Sequence, residues 1–337
     1  MAPPRLIDLH TDWLLQYAPE STLFGAERYP RVPARLEQSD GYLSATSAAV
    51  LSCYRNNDDW ASRADPWSAL GELITRIEAE FSGRLLRDPI DFEQWEIEPE
   101  TLTWAVIGVE GFDWLVRTDA DLKHLKTLFS RGVRLFQPTY NAQGVLAGSS
   151  APGDDRGLTD LGRAFLEALL EVGGPGSPKP ALDLAHLNPS AMSEILDWFE
   201  GDVGRASRMV PVYSHGGLAH DGFRSPRGLT LENARRLRSL GGTIGLGVTP
   251  PFVQNADQIA ASVETLAGLP WNGRLDGSGI AIGTDFLGVD ETLPGLGNVP
   301  EVVAWVAERF DRDLAARFLH GNARLLLASL SGAVADS

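Results

Sequence analysis

Cysteine is nearly absent: Cys53 stands alone among 337 residues, so no intrachain disulfide can form and no thiolate cluster is available for structural zinc. A reducing compartment fits, and the cytoplasm is the expected location. Basic residues are scarce too. The 29 Lys+Arg against 45 Asp+Glu leave a formal net charge of −16, a field that repels phosphate backbones and anionic bilayers. Neither nucleic acid nor a membrane is expected as a partner. The chain also lacks a long hydrophobic run. Its most apolar tail segment, Leu325 to Ala335, is broken by Ser329, Ser331 and Gly332 and falls short of the roughly 20 residues of a spanning helix. The first nine residues, MAPPRLIDL, lead straight into an apolar run without the regions of a secretion signal, so none is expected. Internal repeats beyond a strand–helix unit and low-complexity tracts are missing as well.

What the chain does have is a 43% hydrophobic content, enough for a sizeable core, and a set of short apolar runs. Eight read as buried strands of a parallel sheet, at residues 5–10, 46–54, 104–110, 132–137, 181–185, 209–214, 242–248 and 279–284. Helical patterns lie between most of them, including Trp67 to Phe81, Asp119 to Phe129, Leu158 to Leu170, Pro189 to Phe199, Leu229 to Leu240 and Ala256 to Leu266. This alternation predicts right-handed crossovers in either an open doubly wound sheet or a closed α/β barrel. The count of eight favours the (β/α)8 TIM barrel, as one domain over residues 1–337.

Several of these runs end on a sharp polar residue. His10 and Asp12 close LIDLHTD, Glu110 closes WAVIGVE, His186 closes ALDLAH, His215 closes MVPVYSH and Asp285 closes GIAIGTD. The carboxyl ends of barrel strands are where such folds place their chemistry. His10 and Asp12 are two residues apart, so the pleat directs both to one face. Imidazole and carboxylate are the ligands a borderline divalent ion such as zinc takes when thiolate is not offered.

Glu110, with two oxygens, is the natural bridge between two ions roughly 3.5–4 Å apart, and His186 and His215 complete the set of ligands around the second ion. A lone apolar-flanked histidine is more often a core imidazole satisfied by backbone. The pair after the fifth and sixth strands, opposite His-x-Asp, reverses that reading. Asp183 either orients the site from behind or simply caps its strand. Asp285 suits proton transfer beside a metal, and Arg227 suits two-pronged binding of a carboxylate, with Arg224 as its competitor. His124 and His320 read as solvated or capping groups, and His220 as a group near the pocket rim. The stretch from Asn141 to Gly157 reads as a flexible loop placed where a lid can sit.

The motifs LIDLHTD, GVEG, GVRLFQPTYN, DLAH, YSHGG, PRGLT, IGTDF and HGNARLLL, in this order and over nearly the whole chain, resemble the membrane dipeptidase (renal dipeptidase, peptidase M19) family of the amidohydrolase superfamily. The resemblance implies a (β/α)8 barrel with two zinc ions: one on His10 and Asp12, the other on His186 and His215, with Glu110 between them. It further implies that Arg227 receives the substrate carboxylate and that Asp285 transfers the proton. Two departures stand out. The family's fourth strand usually ends in a Thr-His-Asn-like segment whose histidine binds substrate, and here Tyr140 in PTYN takes that place, a phenol that can still donate to an oxyanion. Trp13 replaces a short apolar segment and is expected to narrow the pocket.

The leading expectation is a zinc-dependent dipeptidase in which a hydroxide held between the ions attacks the carbonyl and Tyr140 steadies the oxyanion. Asp58 and Asp59 are candidates for the substrate's ammonium group. One alternative keeps the metal site for another small amide: a lactam, an N-acyl amino acid or a biosynthetic intermediate. A second is a metal-binding member without turnover. The expected partner is a small-molecule substrate, a dipeptide or related amide, and a homodimer is the candidate assembly.

Overall fold

The computed structural model describes residues 4–17, 33–97, 102–173, 178–202, 204–219, 228–250, 252–275 and 277–334. Eight parallel strands close on themselves in sequence order: β1 (Leu6–Thr11), β2 (Thr46–Cys53), β3 (Trp104–Glu110), β4 (Val133–Gln137), β5 (Ala181–Asp183), β6 (Val210–Tyr213), β7 (Thr243–Leu246) and β8 (Ile280–Ile282). The expected α/β barrel is the observed fold. Every predicted strand forms, but β5, β7 and β8 stop short of their apolar runs, because pairing ends where the chain turns toward the mouth.

Alternation of side chains along each strand sorts the interior from the exterior. Val50 and Ser52, Gly108 and Glu110, and Leu135 and Gln137 line an inner cavity of about 10 Å³ together with His10 and Asp183. Ala49, Leu51 and Cys53 instead join the core under helix Pro66–Glu80, whose buried Leu70, Leu73, Ile74 and Ile77 repeat at helical spacing. Each fully buried Leu or Ile of this layer contributes roughly 1.5–3 kcal/mol. Helix starts follow ordinary capping chemistry. Asn188 accepts from the Ala191 amide ahead of Pro189, and Thr159 accepts from the Gly162 amide. The helix Pro89–Ile97, not foreseen from the sequence, packs on the C-terminal helix Asn322–Ser331; Trp95, Leu326 and Leu330 are buried there with Ile7 and Leu9 of β1.

Trp13 does not narrow the pocket. It lies in the outer layer, where its indole donates to Glu80 Oε1 at 2.7 Å and packs on Tyr42 and Phe81. Residues 141–157 are not a loose loop either. Leu146 and Ala147 are fully buried, the Asp154 carboxylate binds the Ser149 amide and pairs with Arg156, and Asn188 Nδ2 donates to the Asp154 and Arg156 carbonyls. No helix among the described residues is long and apolar enough to cross a membrane.

Candidate metal centre

The turns after the strands set the site. His186 and Asp285 have left-handed backbones, φ 64° and 58°, a conformation costly for residues with a Cβ and found where the surrounding structure enforces it. The enforcement is visible: the Ser150 amide donates to the His186 carbonyl, and the Asp285 amide donates to the His10 carbonyl at 3.0 Å. Below His10, the buried Asp8 carboxylate accepts from Tyr42 Oη, Thr284 Oγ1 and the Thr284 amide, which locks the end of β1 to that of β8.

His10, Asp12, Glu110, His186, His215 and Asp285 converge, each 7% exposed or less. Their ligand atoms form compact groups: His10 with Asp12 and Asp285, Glu110 with His186 and His215, and His10 with Asp183 and His215. His10 Nε2 lies 3.5 Å from Glu110 Oε2 and 3.6 Å from Asp285 Oδ1. His186 Nε2 lies 3.1 Å from Glu110 Oε1 and 3.0 Å from His215 Nε2. Asp183 is hydrogen-bonded at its strand end, accepting from the Ala185 and Ser214 amides, and its carboxylate lies near His10 and His215.

These residues fit divalent cations on three counts. First, His10 Nε2 and Asp12 Oδ1 are buried without a hydrogen-bond partner among the described residues, a costly state for polar atoms. Second, His186 Nδ1 is 2.8 Å from Asn141 Oδ1, which also accepts from Ser150 Oγ. An amide oxygen only accepts, so Nδ1 carries a proton, and Nε2 is the nitrogen left to bind a cation, facing a carboxylate oxygen and another ring nitrogen. Third, the cluster is short of positive charge. Burial opposes charge on His10, yet Glu110, Asp12 and Asp285 push its pKa up to about 10. Burial and the Glu110 charge hold the Asp12 carboxyl well above its usual range. Burial would raise Glu110 as well, but His10 and His186 outweigh it and keep that carboxyl well below. Cations would supply the charge that protons supply here.

Tyr140 sits beside the cluster, its ring 4.6 Å from that of His186 and 5.0 Å from that of Tyr54, with which it shares a hydrogen bond. Arg227, Arg224 and His220 lie outside the described residues. Asp59 is not an open ammonium acceptor, because it is buried and paired with Arg55 at 2.7 Å and Arg63 at 2.9 Å; Asp58 is exposed. His124 stacks on Trp67 at 4.2 Å. His320 is neither solvated nor a cap: Nδ1 meets the Arg5 carbonyl and the ring stacks on Trp95.

Sequence reading missed Ser52, Gln137, Asn141, Ser214 and Gly288. The first four hydrogen-bond the clustered side chains. Gly288 makes room for Asp12, whose Oδ2 would lie 2.0 Å from a Cβ there. Ser52 and Gln137 did carry a signal, as polar residues near the ends of otherwise apolar strands.

The fold and the cluster together define a metal-dependent hydrolase barrel, and comparison with known proteins narrows the class. An amidohydrolase from Pseudomonas aeruginosa shares the fold at a TM-score of 0.67 and 17% identity, over 98% of this chain and 97% of that one. A metallopeptidase of family M19, dipeptidase AC, does so at 0.72 and 19%, over 98% and 100%. A metallopeptidase from Rhodobacter sphaeroides, liganded with a phosphinate mimic of the dipeptide L-Ala-D-Ala, does so at 0.70 and 19%, over 97% and 99%. No curated protein sequence matches. Residues 46–328 match the membrane dipeptidase family, peptidase family M19. The chain belongs to that family and is a metal-dependent enzyme of the dipeptidase and amidohydrolase class.

Proposed function

We propose that the chain cleaves the amide bond of dipeptides with two zinc ions. His10 and Asp12 would hold one ion and His186 and His215 the other, with one oxygen of Glu110 for each. The observation that carries this reading is the sharing of Glu110 between the two histidine groups, Oε2 toward His10 and Oε1 toward His186. Nitrogen and oxygen donors without thiolate suit zinc. When bound, such ions polarise a carbonyl and lower the pKa of water.

The chain's own residues supply the rest. The Tyr140 phenol donates to the oxygen that gains charge as the carbonyl is attacked. Asp285, 3.6 Å from His10, takes the proton of the attacking water and returns it to the departing amine. Arg227 grips the substrate carboxylate. The lone buried Cys53 supports a cytoplasmic setting.

Elemental analysis should find about two zinc ions per chain, and a dipeptide panel with added zinc should show turnover. Arg227→Met should raise KM chiefly; an unchanged KM removes Arg227 from the site. The Tyr140–Tyr54 pair at the mouth favours a second reading, another small amide such as a lactam or an N-acyl amino acid. Turnover of those with none on dipeptides would replace the first reading.

A further inference from the structure

Glu110 is gripped from both sides by neutral groups of the adjoining strands. Ser52 Oγ donates to Oε2 and Gln137 Nε2 donates to Oε1, each at 3.2 Å. The register explains the symmetry. Gln137 pairs directly with Glu110 across β3 and β4, and Ser52 pairs with Gly108 across β2 and β3, so all three side chains enter the barrel interior at neighbouring points. All are 3% exposed or less. The orientation of the Gln137 amide is fixed by chemistry, because its nitrogen also reaches the Thr139 carbonyl at 3.0 Å. A flipped amide would set an oxygen against two acceptors.

A carboxylate oxygen offers two lone-pair sites. One on Oε2 is taken by the Ser52 proton while that oxygen also faces His10 Nε2; one on Oε1 is taken by the Gln137 proton while that oxygen also faces His186 Nε2. Each oxygen therefore keeps one site for a cation. Turning the carboxylate to put both oxygens on one cation breaks one of the two buried hydrogen bonds.

We infer that Ser52 and Gln137 are positioning residues that hold Glu110 as a one-oxygen-per-ion bridge and bar it from chelating a single ion with both oxygens. This rests on the two-ion reading above and makes a sharper demand: each partner guards a different ion. Loss of Gln137 frees Oε1 and weakens the ion on His186 and His215. Loss of Ser52 frees Oε2 and weakens the ion on His10 and Asp12. A general loosening of the barrel would weaken both ions together.

The test is stepwise zinc titration of the chelator-stripped full-length protein by calorimetry, with elemental analysis after desalting. Wild type should hold two ions. Gln137→Leu and Ser52→Ala should each keep one affinity and lose roughly 10- to 100-fold in the other, leaving about one ion after desalting. Adding His215→Ala to Gln137→Leu should remove no further ion, whereas adding Asp12→Ala should remove the remaining one. Two ions with unchanged affinities in both single variants would overturn the inference and leave the two-ion reading standing. A uniform loss across both ions would also overturn it, and fewer than two ions in wild type would overturn both. Should Gln137→Leu fail to give the wild-type circular dichroism spectrum, Ser52→Ala decides alone.

Discussion

At the amino end of the barrel, His320 rests Nδ1 against the Arg5 carbonyl at 3.1 Å, and burial lowers its pKa. At the carboxyl end, His10 is more deeply buried, which should lower its pKa further, yet three carboxylates push it up to about 10. The surroundings of the two ends differ in the same way. Near His320 the polar side chains answer main-chain groups: Arg5 and Thr103 reach the Leu43 and Thr46 carbonyls, and Asn322 reaches those of Gly277 and Ile280. Around His10 they face one another, ring nitrogen against ring nitrogen and carboxylate oxygen. A half-buried histidine met by backbone holds the fold; a buried histidine met by acids and other histidines awaits a cation.

Substitutions should separate the ends cleanly. Glu110→Ala removes the group shared by both histidine sets and should cost about a thousandfold or more in kcat/KM, with loss of bound metal; wild-type metal content in that variant would refute the assignment. Gly288→Ala forces a methyl onto Asp12 Oδ2 and should cost about a hundredfold in kcat/KM with a normal melting curve. A wild-type rate there would show that Asp12 is dispensable.

At the other end, Asn322→Ala leaves the Gly277 and Ile280 carbonyls without their partner and should cost about 1–3 kcal/mol of stability while kcat stays within about twofold. A large fall in kcat would erase the contrast between the two ends.

The smallest effect concerns Asp113, a buried acid at the carboxyl end that stands apart from the cluster. Burial raises its carboxyl from the usual range to about 8. The folded state therefore binds this proton more tightly than the unfolded chain, so the group's contribution is fully present below pH 4 and is lost as pH rises toward 8. Denaturant melts of Asp113→Asn should gain on wild type progressively as pH rises from 4 toward 8. A constant difference between the two proteins would show that Asp113 does not titrate in this window.

The barrel was legible because parallel strands buried on both faces appear as apolar runs, and because the ligands end those runs as residue types with few other uses there. The helix Pro89–Ile97 was not foreseen. It is held through tertiary packing of Trp95 against Leu326 of the C-terminal helix, which no local pattern announces. Likewise Ser52, Gln137 and Ser214 are neutral and common, and their meaning lies in strand register, which a single chain does not display. Asp59 misled because its two arginine partners are four residues away on either side, a spacing that is informative only once a helix is assigned. His320 misled because its partner Arg5 is distant in sequence.

Cys53 lies sealed behind β2, and burial pushes its thiol pKa up, so it resists alkylation. A cysteine placed at Ile97, 79% exposed on the far helix, would then be the sole reactive thiol. A dye or surface tether attached there would report on the protein, or immobilise it, with the mouth of the barrel pointing away.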